Sequence, residues 1–510
     1  MRDILSVSKA FVKKHKTYPS MPDMAKLGFS RDQVRSVYGN LEGLHDELFI
    51  HCQDEFIDLS RESVNNLNTK KYKTFIITTA LTGSTVQKNV VSSIHTFCKK
   101  NKAAPIVLVA KGSSKLAQTL DASLRGMHIL TQDTELNSNL KIVGVFQSGS
   151  KTDPTSGGIS RTGNRDSSII LASPKQRLFY TATGIDKLPH ATMGTGAITE
   201  PQYDKRNMSG YVANHDHVMG AIVVEIVDEN LFHFRQVQFD RHGGFVDLGV
   251  YYCGSKSKSM APIAMVLGDW HAGESDPVVV QSTIALTKAL KIPTWVLHDT
   301  FDGTSISHHD MGKQISLTKK AEENQLNLEK ELRTYSADIE MISKLVKNVV
   351  VVKSNHDEHL ERYLDEGRFI KDPQNMKLAI ELAGQMINST NILKYAVGKF
   401  AKAKNNIVWL SRGQSLRIAG IECGLHGDVG PNGSRGSLAA FEKSYGNSIV
   451  GHSHTPGILR GAWCVGTTTA TSPDYGRGGA SSWLNTHCLV YSNGHRQLVN
   501  CINGKFSKLI

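Results

Sequence analysis

Five short segments of this chain carry side chains that bind hard and borderline metal ions. In order they are Gly268-Asp269-Trp270-His271, His298-Asp299-Thr300-Phe301-Asp302, Asn355-His356-Asp357, Leu425-His426-Gly427-Asp428 and Gly451-His452-Ser453-His454. Their Asp, Asn and His side chains suffice to ligate two metal ions. Paired ions neutralise a phosphate, acidify a bridging water and clamp the oxygens of an in-line displacement, so the set points to phosphate-ester hydrolysis. Imidazole and carboxylate ligands together suit Mn, Fe or Zn better than Mg or Ca. A single Asp-x-His or His-x-His pair recurs by chance on surfaces and in cores; five in order after apolar runs do not.

The elements that must position these groups are apolar runs. Residues 261–267 read as a buried strand ended by Gly268. Alternate strand residues share a face, so Asp269 and His271 can address one ion. Residues 291–297 read as a second strand with Asp299 just past its end, and residues 349–352 as a third with Asn355 and His356 beyond it. Ligands at the carboxyl ends of strands are where open α/β sheets build their sites.

The five segments resemble the calcineurin-like metallophosphoesterase superfamily, whose pattern is Asp-x-His, Gly-Asp-x-x-Asp, Gly-Asn-His-Asp/Glu, a lone His and Gly-His-x-His. The match covers residues 260–495, about half the chain. Within the superfamily it looks most like the SbcCD-type DNA-repair nucleases and tailed-phage early proteins that attack host DNA. The resemblance implies that Asp269, His271 and His454 hold one metal and that Asn355, His426 and His452 hold the other, with Asp299 bridging. It also implies a hydroxide between the ions as nucleophile, His356 at the leaving oxygen, and Asp357 orienting His356. The cofactor expected is a pair of divalent ions, manganese first, with iron, zinc or magnesium as the other choices. Two departures stand out: His298 and Ser354 occupy positions that are Gly in the family pattern. His298 is open to a role as an extra ligand or a ligand's partner. Asp302 is kept as the second choice for the bridge.

The fold expected is α/β: a catalytic metallophosphoesterase β-sandwich flanked by helices over residues 256–510, preceded by an α/β domain over 73–255, a linker over 51–72 and a helical unit over 1–50. In that unit a helix over 4–14, a start at Ser20-Met21-Pro22-Asp23, the turn Gly28-Phe29-Ser30-Arg31 and a helix over 32–38 resemble a helix-turn-helix DNA-binding unit. A helical packing or dimerisation module is the alternative. A βαβ pattern follows: a strand over 74–80, a helix opened by Thr82-Gly83-Ser84-Thr85 and running to about Lys99, and a strand over 104–110. The Gly-Ser-Thr turn is a helix cap or, less simply, a phosphate cradle. Residues 148–166 read as a loop, and strands are expected over 168–172 and 219–227. His190, His215 and His217 read as solvent-exposed loop histidines rather than a pocket. In the catalytic half, residues 317–347 read as one long helical stretch with Glu329-Lys330-Glu331 on a solvated face and Leu326, Leu328, Leu332 and Ile339 in a core stripe. Residues 465–469 and 487–491 read as strands, with Asn493-Gly494 as a hairpin turn.

The chain has 510 residues, a formal net charge of +12, 40% hydrophobic and 21% charged residues. These are globular values, and the basic surplus favours a polyanionic partner. Seven scattered cysteines without a Cys-x-x-Cys pair argue against a disulfide framework and structural zinc. No secretory signal or apolar run of membrane-spanning length is present, so a cytoplasmic location, the host's if the chain is phage-borne, and no membrane partner are expected. Residues 382–421 contain no Asp or Glu but carry Lys394, Lys399, Lys402, Lys404, Arg412 and Arg417. That stretch suits tracking of a phosphate backbone, and Arg435 is a candidate phosphate clamp. His308, His309 and Asp310 either touch substrate or metal or form a surface loop. The leading expectation is therefore a DNA nuclease. A phosphatase or small-molecule phosphodiesterase is the alternative, and a DNA-binding regulator with a dead metal site the second. A homo-oligomer is expected by analogy with related nucleases alone.

Overall fold

A computed structural model describes residues 3–62, 67–112, 118–144, 149, 151–156, 166–184, 187–310, 312–471 and 479–508. Among them are 13 α-helices and several sheets, and no helix is long and apolar enough to cross a membrane. Two compact units emerge, Met1–Thr181 with His190–Met260 and Ala182–Pro189 with Ala261–Ile510.

The first unit opens with helices Ile4–His15, Met21–Lys26, Arg31–Tyr38 and Leu41–Cys52. Their starts follow local chemistry. Asp3 caps the first helix, and Ser20–Asp23 and Ser30–Gln33 form capping boxes on the second and third. The fourth helix was not foreseen. It runs past residue 50 and closes a small core with Val12, Met24, Val34, Leu44 and Leu48. The expected linker is not merely polar, because Phe56–Asp58 pairs antiparallel with Thr119–Asp121.

The expected βαβ unit forms, with parallel strands Thr74–Leu81 and Ala104–Ala110 inside a five-stranded sheet. Its helix is Val90–Asn101, not one opened at Thr82. Gly83 and Asn89 both have positive φ, and the intervening chain is tied down by Gly83 N donating to Thr119 O and Val86 N donating to Asp121. The Gly-Ser-Thr turn therefore caps no helix, and the phosphate-cradle reading falls with it. The strands near 170 and 220 are Ser168–Leu171 and Gly220–Ile226. The loop expected at 148–166 falls mostly outside the described residues. The histidine expectation needs correction. His190 begins strand His190–Gly194, and His217 contacts the Tyr203 hydroxyl at 2.8 Å and the Thr199 carbonyl at 3.0 Å; only His215 is exposed.

The second unit is built on a six-stranded sheet in the order Ile407–Trp409, Asn348–Val351, Thr294–Leu297, Ala264–Val266, Thr486–Val490, Arg496–Asn500. The first four strands are mutually parallel. The last two form the expected hairpin, turning at Gly494 with φ +82°. A second sheet contains Arg417–Ile418, Ile421–Glu422, Ser448–Val450, Ala462–Cys464 and Gly457–Leu459. Residues 465–469 form no strand; Thr467 bridges Asp269 and Asn485, and Thr469 bridges Ser275. The long helical stretch splits into Gln314–Glu322 and Leu328–Leu345, because Asn324 turns left-handed and Asn327 caps the second helix. Leu328, Leu332 and Ile339 are buried as expected, whereas Leu326 lies part-buried in the break.

Ser354 shapes the turn from strand Asn348–Val351 into helix Asp357–Asp365. Ser354 has no positive φ, its hydroxyl accepts from Asp357 N at 3.2 Å, and Asp357 Oδ2 accepts from Ser354 N at 3.1 Å. This reciprocal cap fixes the loop that carries Asn355 and His356. Ser354→Ala is expected to cost about 1 kcal/mol in denaturant unfolding; an unchanged midpoint would remove the cap from the account.

Candidate metal centre

Asp269, Asp299 and Asn355 all lie just beyond the carboxyl ends of parallel strands, at Val266, Leu297 and Val351 respectively. His426 follows Ile421–Glu422, and His452 and His454 follow Ser448–Val450. Four of these residues hold a left-handed backbone: His271 (φ 47°), Asp299 (φ 44°), His452 (φ 73°) and His454 (φ 55°). Non-glycine residues rarely adopt this region, and clusters of such strain mark functional sites. Neighbouring strand ends keep it in place. His271 N donates to Asp299 O at 2.7 Å, Trp270 N to His298 O at 3.0 Å and Thr468 N to Asp269 O at 2.8 Å. Gly451 is required by close approach, since a Cβ there would stand 2.3 Å from Asp269 Oδ1.

The side chains converge in two groups that share Asp299. Asp269, His271, Asp299 and His454 present ligand atoms within 4.8 Å of one another, and so do Asp299, His426 and His452. His454 Nε2 is 3.1 Å from Asp269 Oδ2, His271 Nε2 is 3.2 Å from His454 Nε2 and 3.7 Å from Asp299 Oδ2, and His426 Nε2 is 3.1 Å from Asp299 Oδ2. Ligand bonds of about 2.0–2.2 Å place neighbouring ligand atoms roughly 3 Å apart, so this spacing fits metal coordination. Buried polar atoms normally find partners. Here Asp269 Oδ1, Asp299 Oδ1, Asn355 Oδ1 and His454 Nδ1 are buried without a hydrogen-bond partner. The residues present therefore fit a cation. Asp299 rather than Asp302 is the carboxylate common to both groups; Asp302 groups instead with His271 and His356.

The electrostatics say the same. Burial opposes charge on Asp299, yet His426, His356 and His271 outweigh it and hold the carboxyl well below its usual range. Burial likewise opposes protonation of His271 and His426, but Asp302, Asp299 and Asp269 push the first up to about 9, and Asp299 and Asp269 push the second up to about 9. The carboxylates demand positive charge, which protons or divalent ions can provide.

Around the cluster, loop contacts hold His356 and the segments beside it. His356 Nδ1 donates to the Asp302 backbone carbonyl at 2.8 Å. Asp357 does not orient the ring in this way; its buried oxygens accept from Thr300 Oγ1, Phe301 N and Ser354 N and so brace the two loops. Asp302 serves twice, since its carboxylate also accepts from His271 Nδ1 at 2.9 Å. Its loop is anchored by Glu331, which accepts from Gly303 N and Thr304 N at 2.8 Å each and from Ser305 N at 3.1 Å. Glu331 is thus no solvated surface residue, and burial pushes its carboxyl up to about 7. His298 is fully buried against His426, ring centroids 5.7 Å apart, and belongs to neither convergent group.

The expected substrate-binding residues are distributed differently. Lys399 pairs with Glu381, and exposed Lys402 and Lys404 precede strand Ile407–Trp409, at the amino-terminal end of the parallel strands and opposite the ligands. Arg412 is on the ligand side, but Glu358 and Asp428 occupy it at 2.7 and 2.9 Å. Arg435 lies exposed in the turn after His426. Part of the basic stretch is therefore neutralised by carboxylates just outside it or farther along the chain, Glu381, Glu358 and Asp428.

No protein-family model matches the chain. The chain is similar to Protein A1 of Escherichia phage T5, with 33% identity over 332 residues, 61% of this chain and 59% of that protein. It thus spans less than two thirds of that relative's length, and the similarity supports a phage origin.

Two outcomes follow from the geometry. Cation binding must displace protons from His271 and His426, whose neighbouring carboxylates push them up to about 9, so apparent affinity should rise with pH from neutrality towards 9, by about tenfold per pH unit for each proton displaced. Competition titration with a chelating dye reads this, and a flat profile would contradict it. Asp302→Ala should weaken binding of the ion at His271 by about 10–100-fold, as loss of a ligand's hydrogen-bond partner does. Calorimetry showing equal affinity in both proteins would remove Asp302 from that role.

Proposed function

We propose that the chain is a two-metal phosphodiesterase that hydrolyses DNA, built on a metallophosphoesterase β-sandwich in residues 256–510. The observation that carries this reading is the single buried carboxylate, Asp299, common to two convergent ligand groups. In it, Asp269, His271, His454 and Asp299 hold one ion, and Asp299, His426, His452 and Asn355 the other, with manganese the first choice. When bound, such a pair neutralises the phosphate and acidifies a water. The chain's own residues do the rest. Asp302 fixes His271 through its carboxylate and His356 through its carbonyl. With Nδ1 donating to that carbonyl, His356 keeps Nε2 for substrate, and its imidazolium form delivers a proton to the leaving oxygen. Asp357 and Glu331 keep both loops from shifting.

DNA as substrate is supported by the similarity to a phage protein, the net charge of +12 and the helix order of the N-terminal unit, which would contact the duplex. The host cytoplasm and a homo-oligomer belong to the same reading. A small-molecule phosphodiesterase is the second reading, favoured by the carboxylates that occupy Lys399 and Arg412.

Linear duplex DNA with Mn²⁺ should be cut, and not in a chelated control, while circular duplex DNA shows whether ends are required. His356→Ala should lose about 10²–10⁴-fold in rate while keeping its ions, and Asp299→Ala should lose ions and turnover together. Full activity in either variant would overturn the assignment. Turnover of a chromogenic diester without DNA cutting would select the second reading.

A further inference from the structure

Beside His356 the structure gathers histidines that the hydrolytic centre leaves unused. His359 lies one turn along helix Asp357–Asp365, its backbone N donating to His356 O at 2.9 Å and its ring 4.7 Å from the His356 ring. His308 approaches His359 edge-on at 5.3 Å, and His309 lies 3.9 Å from His308. The series runs outward: His359 is buried, His308 part-buried and His309 exposed. Exposed Arg362 is three residues beyond His359, the spacing that puts two side chains on one helix face. The placement is held. Arg368 Nη1 donates to Ile306 O at 3.1 Å, and Gly303, with φ +82°, lets the loop come against the His359 ring.

The chemistry of this patch is that of an anion site rather than a metal site. No metal-capable group among the described residues includes His308, His309 or His359. Nearby carboxylates are engaged elsewhere: Asp310 by Lys320 at 2.7 Å, Glu366 by Arg368 at 3.0 Å and Glu331 by loop backbone. Burial and the charges of His356 and Arg362 push His359 down to about 3, and burial, His309 and Arg362 push His308 down. Neutral imidazoles each bring one N–H, and Arg362 brings a planar array of donors and a positive charge that an anion would meet.

We propose that His308, His309, His359 and Arg362 form a second phosphate subsite on the leaving-group side of His356, which takes the next phosphate along a polynucleotide strand. The inference rests on the phosphodiesterase reading and deepens it. It makes the substrate a strand with at least two phosphates, and sets the preferred cleavage position by distance from a phosphate.

Three thymidine dinucleotides with Mn²⁺ distinguish the cases: one plain, one carrying a terminal 5′-phosphate and one a terminal 3′-phosphate. In the native protein one terminal phosphate, and only one, should lower KM at least tenfold with kcat little changed. In the His308→Ala/Arg362→Ala double variant, and to a lesser degree in Arg362→Gln alone, that ratio should fall to near one; thermal melting checks folding. A gain equal in native and variant proteins, or none from either phosphate while the plain dinucleotide is cleaved, overturns the subsite alone. Absence of turnover on all three and on a chromogenic diester overturns the phosphodiesterase reading and the subsite with it.

Discussion

The Asp299 carboxylate is 1% exposed, contacts His426 and His271, and leaves one oxygen without a hydrogen-bond partner. An isolated buried anion costs several kcal/mol or more, so it persists only where positive charge meets it. Every neighbouring feature serves that requirement. Parallel strands end together, so that Asp269 and Asp299 reach the same space. Left-handed backbone at His271, Asp299, His452 and His454 turns their side chains inward at a cost of order 1–3 kcal/mol per residue. Gly451 exists because anything larger would collide with Asp269.

Such strain must be offset by contacts that do not themselves touch substrate. Glu331 satisfies three consecutive backbone N–H groups of the loop after Asp302. Asp357 links the loop after Asp299 to the loop carrying Asn355. Each is a buried carboxylate whose burial raises its own proton affinity, so each weakens stability where it ionises. What they provide is positioning: the two loops they brace carry Asp299, Asp302, Asn355 and His356.

The strands that carry the Asp and His residues of the convergent groups are legible in the sequence because they rest on local signals, apolar runs and the residues immediately after them. The starts of the second and third helices, at Ser20 and Ser30, are legible for the same reason. What escaped depended on partners distant in the chain. Glu331 looked like one of several charges on a helix face, and only the loop at 303–305 buries it. The basic stretch looked unbalanced because Glu358 and Asp428, which hold Arg412, lie outside it. Thr82 looked like a helix start, but the chain is held off helical geometry until Asn89 by contacts to Thr119 and Asp121. The contact of His356 Nδ1 with a backbone carbonyl 54 residues away is likewise invisible to local sequence.

The partial neutralisation of the basic stretch changes how a polyanion can be held. A paired Lys or Arg acts as a local dipole, and beyond the screening length of about 8–10 Å it adds little net field. On the proposed reading, the +12 surplus of the chain would therefore steer a polyanion towards the molecule without fixing it at the candidate metal centre. Fixing requires donors within contact distance of phosphate. On the ligand side of the sheet Arg412 is committed to Glu358 and Asp428, so the histidines beyond His356 are the groups placed to do it. On the proposed reading, neutral imidazoles would bind phosphate less tightly than a row of lysines, a weakness that suits release of a cleaved strand. Binding energy concentrated at the scissile phosphate and its immediate neighbour is then spent where bonds change, rather than along a track that holds substrate and product alike.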